Sequence, residues 1–474
     1  MRNVTLQLAA DEADKYISEL DTSPVGSAAS IEQLRDALGG QLPQRPRDAT
    51  SVIKHLVEAT RGGLIGSAGG RFFAWVLGGS LDSALAADWL TSTWDQNAAL
   101  FHCSPAAAII EEVAGEWLKE LVDLPRESSF AFTNGCQMAH FTCLASARYD
   151  VLSRHGHDVN EQGLFGAPGI RVICGEHRHG SIDSALRHLG FGNKQIFPVR
   201  TDLSGRIDVS EFTRLLEEYA GPKIVVLGAG EINTGAFDDF RTLVPVAKDH
   251  HAWVHVDGAF GLMARACTTR RHVLDGVESA DSWATDGHKW LNVPYDNGIA
   301  IIRNADSHRA SMTIDASYIA PQHGVRDQID WNPEWSRRAR GFSVYAALME
   351  LGRDGLDALI ERCCQMATAL TDGIGELPDI EILFQPTLNQ GLFRVLDSTT
   401  AATQHDHDRR TEELMARVNQ SGEAFFSSTT WHGKRAIRVS VVNWRTNRTD
   451  VDRTIAAVAD ALRPDAGQIG DQND

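Results

Sequence analysis

The sequence predicts an α/β protein whose larger part is a mostly parallel β-sheet covered by helices on both faces. Three observations predict it. Short apolar segments, most of them β-branched or aromatic and bounded by Gly, Asp or Asn, recur through the middle of the chain. Helical patterns separate them, and strands that alternate with helices build parallel sheets buried on both faces. At 474 residues the chain is also long enough to form more than one packed domain.

Taken in order, residues 1 to about 70 read as helices broken by SPVGSAAS, QLPQRPRD and RGGLIGSAGG. The first of these segments has little apolar content of its own, so the region must lie on the body of its chain or on a second subunit. Pro105–Leu121 carries apolar residues at helical spacing and is expected to be an amphipathic helix. Strands are expected at Arg171–Cys174, Gln195–Val199, Lys223–Leu227, Trp253–Asp257, Ser282–Thr285 and Ile299–Ile302. The helices between and before them are expected at Gln137–Ser153, Ile182–Leu189, Val209–Tyr219 and Phe240–Asp249. After Ser311 the stretch SYIAPQHGVRDQIDWNPEWSRRARG has too little periodicity for one element and reads as a functional or mobile loop. Helices at about Phe342–Leu351 and Leu356–Glu376 follow. A small α+β unit closes the chain, with strands near Ile380–Phe384, Gln390–Val395 and Ala436–Val442 and helices at Arg409–Gln420 and Asp450–Leu462. The tail from Pro464 is expected to be disordered. The expected division is 1–75 as an N-terminal helical arm, 76–345 as the large domain, 346–463 as the small domain and 464–474 as the tail.

Composition narrows the function. The formal net charge of −18, from 45 Lys and Arg against 63 Asp and Glu, repels phosphate backbones and argues against a nucleic-acid partner. The seven cysteines include no CxxC pair, so neither zinc nor another metal is expected. Adjacent Cys363 and Cys364 read as small core residues of a reducing compartment. The N-terminus carries acids too early for a secretory signal, and no stretch reaches the roughly 18 apolar residues of a membrane span. A cytoplasmic protein without membrane contact is expected.

The chemistry gathers around DSWATDGHKWLNVPYDNG, residues 281–298, with Lys289 at its centre, and around Asp257 in WVHVDGAFG. A lysine amine beside a histidine, together with an aspartate at the end of an apolar strand, is what pyridoxal phosphate requires. The amine forms an imine with the cofactor aldehyde, and the carboxylate keeps the pyridine nitrogen protonated so that the ring accepts electrons. In open α/β sheets ligands gather at the carboxyl ends of strands, where Asp257 falls.

Other candidates line up around this pair. In FAFTNGCQMAHFTCLASAR, Gly135 allows a tight turn, and the amides that follow at Cys136 and Gln137 open a helix suited to a phosphate. In isolation the same stretch reads as a helix capped by Thr133 or Asn134. His179, just before a helix in GEHRHGSIDSALRHLG, could lie flat on a cofactor ring. Asn233, Thr234 and Gly235 form a polar turn after a buried strand, and Ala259 is small enough to leave room for the ring. His288 could donate to the phosphate or move protons near neutral pH. Arg438 is a further candidate for a substrate carboxylate, and Phe73, Trp75, Trp94, Asn97 and Phe101 are candidates for the substrate pocket.

These motifs together resemble the group II pyridoxal phosphate-dependent decarboxylases, which include aromatic-L-amino-acid and glutamate decarboxylases. The resemblance runs from about Phe72 to Asp460, through TNGCQMAHFTCLASAR, HGS, HVDGAFG, DGHKWLNVPYDNG and WSRRARG. It implies the fold type I architecture, with a mostly parallel seven-stranded sheet in the large domain and a small C-terminal α+β domain. It also implies pyridoxal phosphate as cofactor, Lys289 as the imine lysine, Asp257 as the pyridine partner and His179 stacked on the ring. A homodimer with interfacial sites is implied, with the N-terminal segment wrapping the partner. The chain departs from the pattern at Cys136 and Gln137, where the family has small and hydroxyl residues, and at Asn297, where it often has cysteine. The resemblance also implies a loop tyrosine that reprotonates the carbanion, yet residues 321–337 contain none; the nearest upstream is Tyr318.

The expected activity is decarboxylation of an L-amino acid, with aromatic ones among the candidates, through an external aldimine and a quinonoid carbanion. The alternatives are oxygen-dependent decarboxylation with deamination to an aldehyde, or aldol-type lyase chemistry on the same cofactor. A non-catalytic protein of the same fold is a further alternative, but a scaffold has no need of Lys289, Asp257 and His179 together.

Overall fold

The computed structural model describes residues 3–314 and 324–463. The expectations for Tyr318 and for the tail from Pro464 lie outside the described residues.

Two units divide the chain. The larger comprises Gly78–Ala367 and Gln385–Gly391, and the smaller Met1–Leu77, Thr368–Phe384 and Leu392–Asp474. The N-terminal segment therefore groups with the C-terminal part of the chain, because it is hydrogen-bonded there: Phe73 N–H donates to Phe425 O at 2.9 Å and Ser440 N–H to Phe73 O at 3.1 Å. The span Gly341–Gly375 is two helices parted at the non-helical Gly352 (φ 58°), as the expected helices at about Phe342–Leu351 and Leu356–Glu376 require; the units divide within the second of them, after Ala367, rather than after residue 345. Glycine adopts that backbone conformation without a Cβ penalty.

The sheet of the larger unit has seven strands: β1 (Ser129–Thr133), β2 (Arg171–Gly175), β3 (Ile196–Val199), β4 (Lys223–Gly228), β5 (Trp253–Asp257), β6 (Ser282–Asp286) and β7 (Gly298–Ile302). Their order is β1-β7-β6-β5-β4-β2-β3. The run from β3 to β6 is parallel, and β7 is antiparallel to both of its neighbours. Each parallel neighbour needs a crossover of a dozen or more residues. The connection from β6 to β7 is too short for a helix, so β7 returns antiparallel, and Lys289 sits in that connection.

Helix Cys136–Ser153 lies across one face of this sheet. Its buried side chains Ala139, Cys143 and Ala147 join Val172, Ile224, Trp253, Ala284 and Ala300 in one core. The period of two along β5 sends Trp253, His255 and Asp257 to that same face. Gly298 pairs with Thr133 on one side and with Asp286 on the other. A Cβ there would stand 2.3 Å from the carbonyl carbon of Gly135, so only glycine lets the turn after β1 settle against β7.

In the smaller unit a four-stranded sheet runs β10-β11-β9-β8, with β8 at Ile380–Phe384, β9 at Gln390–Val395, β10 at Ser427–Trp431 and β11 at Lys434–Ser440. Strand β10, an edge strand of sequence SSTTW, is not among the strands expected from the sequence. Its hydroxyl-rich run lacks an apolar alternation, and its pairing with β11 defines it. The N-terminal helices Val4–Glu19 and Ile31–Leu38 bury no residue, and Ala49–Thr60 buries only Ala59. No helix among the described residues is long and apolar enough to cross a membrane.

Candidate active site

The carboxyl ends of β1, β4, β5 and β6 and the start of β7 meet at one edge of the large sheet. Asp257 closes β5 there with 17% of its side chain accessible. Its Oδ1 accepts the N–H of Ala259 at 3.2 Å and lies 3.5 Å from Nε2 of His140. Behind His140 runs a buried series of contacts. His140 Nδ1 shares a hydrogen bond with His255 Nε2 at 2.9 Å, and His255 Nδ1 shares one with Ser282 Oγ at 2.9 Å. Trp253 Nε1–H donates to the same Ser282 Oγ at 2.9 Å. Burial alone would raise the pKa of Asp257. His140 against it and His179 nearby outweigh burial and hold the carboxylate below its ordinary range. His255 is driven the other way, well below the ordinary imidazole value, by burial and by the neighbouring His140.

Lys289 lies in the β6–β7 connection, with Nζ 3.0 Å from Oδ2 of Asp286. Burial pulls the amine down, but Asp286 leads the groups that push it up, and the net shift is upward. Asp286 is a hub. Its Oδ1 accepts the N–H of Cys136 at 2.7 Å, and His288 Nε2 stands 3.5 Å away. The other ring nitrogen of His288 accepts the N–H of Asn297 at 3.3 Å, and its ring tilts on Tyr295 at 4.4 Å between centroids. Burial moves His288 below its usual range, which keeps it neutral near pH 7.

The helix start expected to hold a phosphate is present, with Gly135 at φ 145° as its cap residue and no side-chain cap. Neither Thr133 nor Asn134 caps it. Asp286, reaching over from β6, takes the Cys136 amide, and Thr133 Oγ1 donates instead to Gly135 O at 3.0 Å. The Cys136 thiol is buried and pushed well up, by burial first and then by Asp286 and Asp257. Gln137 is exposed and donates to Ser184 Oγ at 3.3 Å, on the helix that His179 begins. His179 is exposed at that helix start, its Nδ1 accepting the N–H of Ser181 at 3.2 Å.

The remaining candidates have structural partners of their own. Thr234 is fully buried, and its hydroxyl donates to Ser204 O at 2.7 Å, holding the turn in which Glu231 accepts the amides of Asn233 and Thr234. Ala259 ties two strand ends together, its carbonyl accepting the N–H of Asp286 at 3.1 Å. Asn97 Oδ1 accepts the N–H of Ala99 and of Arg337, both at 3.2 Å, so its side chain shapes the backbone. Phe101 N–H donates to Asp327 Oδ1 at 2.7 Å, and half-exposed Trp94 packs edge-on to Phe342. Phe73, Trp75 and Arg438 belong to the smaller unit. Phe73 is fully buried and stacks on Phe426, Trp75 lies against Phe72 and Phe425, and buried Arg438 donates to Ser427 Oγ at 3.1 Å.

The segment expected to be a mobile loop over 321–337 is fastened from 324 onward. The Arg326 guanidinium sits between the rings of Phe130 and Trp331, at 4.2 and 4.4 Å, and donates to Phe130 O. Gln328, Ile329 and Asn332 are buried. Arg337, wholly buried, donates to both oxygens of Glu111 at 2.9 and 2.8 Å and to the carbonyls of Ala98 and Phe132. Residues 321–323 lie outside the described residues.

Reading the sequence missed Asp286, His140, His255 and Ser282. Signals existed. Cys136 and His140 are four apart on one helix face, and His255 and Asp257 are two apart on one strand face. Nothing in the sequence says that those two faces touch.

The arrangement suits a pyridine aldehyde carrying a phosphate. Asp257 is an ionised, partly open carboxylate whose neighbours are imidazoles, as a pyridinium partner should be. Lys289 supplies the amine, and the side-chain-free Gly135 opens a helix start.

Comparison with known proteins agrees. The model of the pyridoxal-dependent decarboxylase conserved domain matches residues 32–396. The chain is 27% identical over 459 residues to an aromatic-L-amino-acid decarboxylase of Bacillus atrophaeus, covering 95% of this chain and 93% of that protein. It is 26% identical over 437 residues to a 4-hydroxyphenylacetaldehyde synthase of Rhodiola rosea, covering 89% and 86%. The fold matches the crystal structure of the Oryza sativa TDC with PLP and tryptamine at a TM-score of 0.90, with 24% identity over 97% of this chain and 96% of that one.

Proposed function

This chain belongs to the pyridoxal-dependent decarboxylase family, with pyridoxal phosphate as its cofactor, and on that premise we propose that it decarboxylates an aromatic L-amino acid and releases the amine. The observation that carries the reading is the partly open, ionised Asp257 at the sheet edge that also carries the amine of Lys289. The named substrates of relatives support the aromatic preference.

When bound, the cofactor supplies an aldehyde for amines and a ring that takes up the electron pair left by carbon dioxide. Lys289 would hold that aldehyde through its amine. Asp257 would hold the ring by its nitrogen, its carboxylate keeping the proton there. The helix start after Gly135, at Cys136 and Gln137, would receive the phosphate, with Asp286 holding the Cys136 amide and His288 beside Asp286. His179, exposed at its helix start, would cover the ring and is one candidate to hold the proton that replaces carbon dioxide. Tyr318 is another, and it lies outside the described residues.

A homodimer is part of the reading. The N-terminal helices bury almost nothing, while Leu6, Ile31, Leu42, Val52 and Leu56 stand exposed, an apolar surface suited to a second subunit. Cytoplasmic residence is supported by seven cysteines that form no disulfide. The second reading, oxygen-dependent conversion to an aldehyde, draws on the resemblance to an aldehyde synthase.

Borohydride reduction followed by peptide mapping tests the site, with the reduced cofactor expected on Lys289; another lysine overturns the assignment. A screen of aromatic amino acids that measures amine, aldehyde, carbon dioxide and oxygen separately tests the reaction. Amine equal to carbon dioxide without oxygen uptake is expected, and stoichiometric oxygen uptake would establish the aldehyde route instead.

A further inference from the structure

The imidazoles of His140 and His255 stand behind Asp257 with no part yet assigned to them. The chain of contacts has two ends of fixed character. Trp253 Nε1–H can only donate, and it donates to Ser282 Oγ at 2.9 Å. The Asp257 carboxylate can only accept, and His140 Nε2 is its side-chain neighbour at 3.5 Å. With a donor-only group at one end and an acceptor-only group at the other, one direction satisfies every member. Trp253 donates to Ser282, the Ser282 hydroxyl to His255 Nδ1 and His255 Nε2–H to His140 Nδ1, which leaves the His140 Nε2–H turned toward Asp257 across a 3.5 Å contact. The opposite direction sets the bare lone pair of His140 Nε2 against the Asp257 carboxylate.

We propose that Trp253, Ser282, His255 and His140 form a neutral, one-way chain of donors that positions Asp257 without cancelling its charge. His140 is thereby a positioning residue for the cofactor ring, a step that rests on the reading that Asp257 faces the ring nitrogen. A neutral donor is what that task needs. A cationic imidazole beside Asp257 would compete with the pyridinium for the same carboxylate, whereas a neutral N–H orients the carboxylate and leaves its charge available. The burial of His140 and His255, both wholly inaccessible, opposes a cation at either ring. The geometry is built by two periodicities: His255 and Asp257 alternate onto one face of β5, and His255 lies in register with Ser282 on β6. Helix Cys136–Ser153 crosses that face and inserts His140 between them. Cys136 Sγ lies 3.4 Å from the same His140 Nε2, and with that nitrogen protonated it serves as a weak acceptor.

The test uses holoenzyme labelled with 15N-histidine, with His140→Gln and His255→Gln to assign the two signals. Both rings are expected neutral with the proton on Nε2; a cationic His140, or its proton on Nδ1, overturns the proposal. A second measurement reads the cofactor itself, through its visible absorbance and its dissociation constant by equilibrium dialysis. His140→Phe should weaken cofactor binding about tenfold or more, the loss of one hydrogen bond to a charged group, and alter the band. His140→Gln, whose amide can still donate, should restore both toward wild type. If His140→Phe matches wild type while Asp257→Ala alters the band, the donor chain is wrong and the reading of Asp257 stands. If Asp257→Ala also matches wild type, the reading of Asp257 itself fails.

Discussion

Nζ of Lys289 lies 3.0 Å from Oδ2 of Asp286, three residues before it, while the other oxygen of that carboxylate takes the N–H of Cys136. One aspartate therefore holds both the amine and the helix start. Asp286 is the largest of the influences that raise the Lys289 amine against the opposing effect of burial. An unprotonated amine is the form that attacks an aldehyde. Asp286→Asn removes that influence, so capture of pyridoxal phosphate by the cofactor-free protein should become efficient at lower pH. The rate of forming a borohydride-fixable adduct against pH checks this, and an unmoved profile would contradict it.

Asp257→Ala should leave the cofactor attached to Lys289 but lower turnover on the order of 100-fold or more, as removal of a preorganised electrostatic group does. Steady-state kinetics on the best substrate from the screen decide it. Turnover near wild type would show that the carboxylate is not the ring's partner.

The Arg337–Glu111 pair is wholly buried on both sides. Removing one member strands a charge, so Glu111→Ala should cost about 3–5 kcal/mol, while Glu111→Leu combined with Arg337→Met should cost much less. Urea unfolding of the three proteins gives the comparison. Equal losses in the single and double variants would show that the pair does not act as a unit.

His308 sets a pH dependence of stability. Its Nδ1 shares a hydrogen bond with Ser129 Oγ at 2.8 Å and its Nε2 one with Trp331 O at 2.9 Å, and burial, aided by Arg326, drives it down to about 3. The unfolded chain takes up this proton below about pH 6.5 and the folded chain does not until much lower. More protons are bound unfolded than folded across that window, so stability falls as pH drops from about 6.5 toward 3. His308→Gln should flatten the decline of the urea midpoint between these limits. A slope as steep as that of wild type would remove His308 from the account.

Much of this protein was legible in the sequence because the relevant signals are local. A short apolar, β-branched and aromatic run marked Trp253–Asp257, and helical spacing marked Pro105–Leu121 at its observed limits. Lys289 and Asp257 stand out because each lies in a short contiguous motif at a strand end. The structure alone decided what those residues touch. His140 and His255 are 115 positions apart and meet only because a helix crosses a particular face of β5. Asp286 becomes a hub only when the register of β6 against β7 sets it beside the turn at Gly135. The edge strand Ser427–Trp431 exists through its pairing, since its own hydroxyl-rich residues carry no alternation. Local periodicity is a property of neighbours along the chain, and a sequence displays it directly. Register and helix crossing are set by packing between distant segments, and no single stretch of sequence contains them.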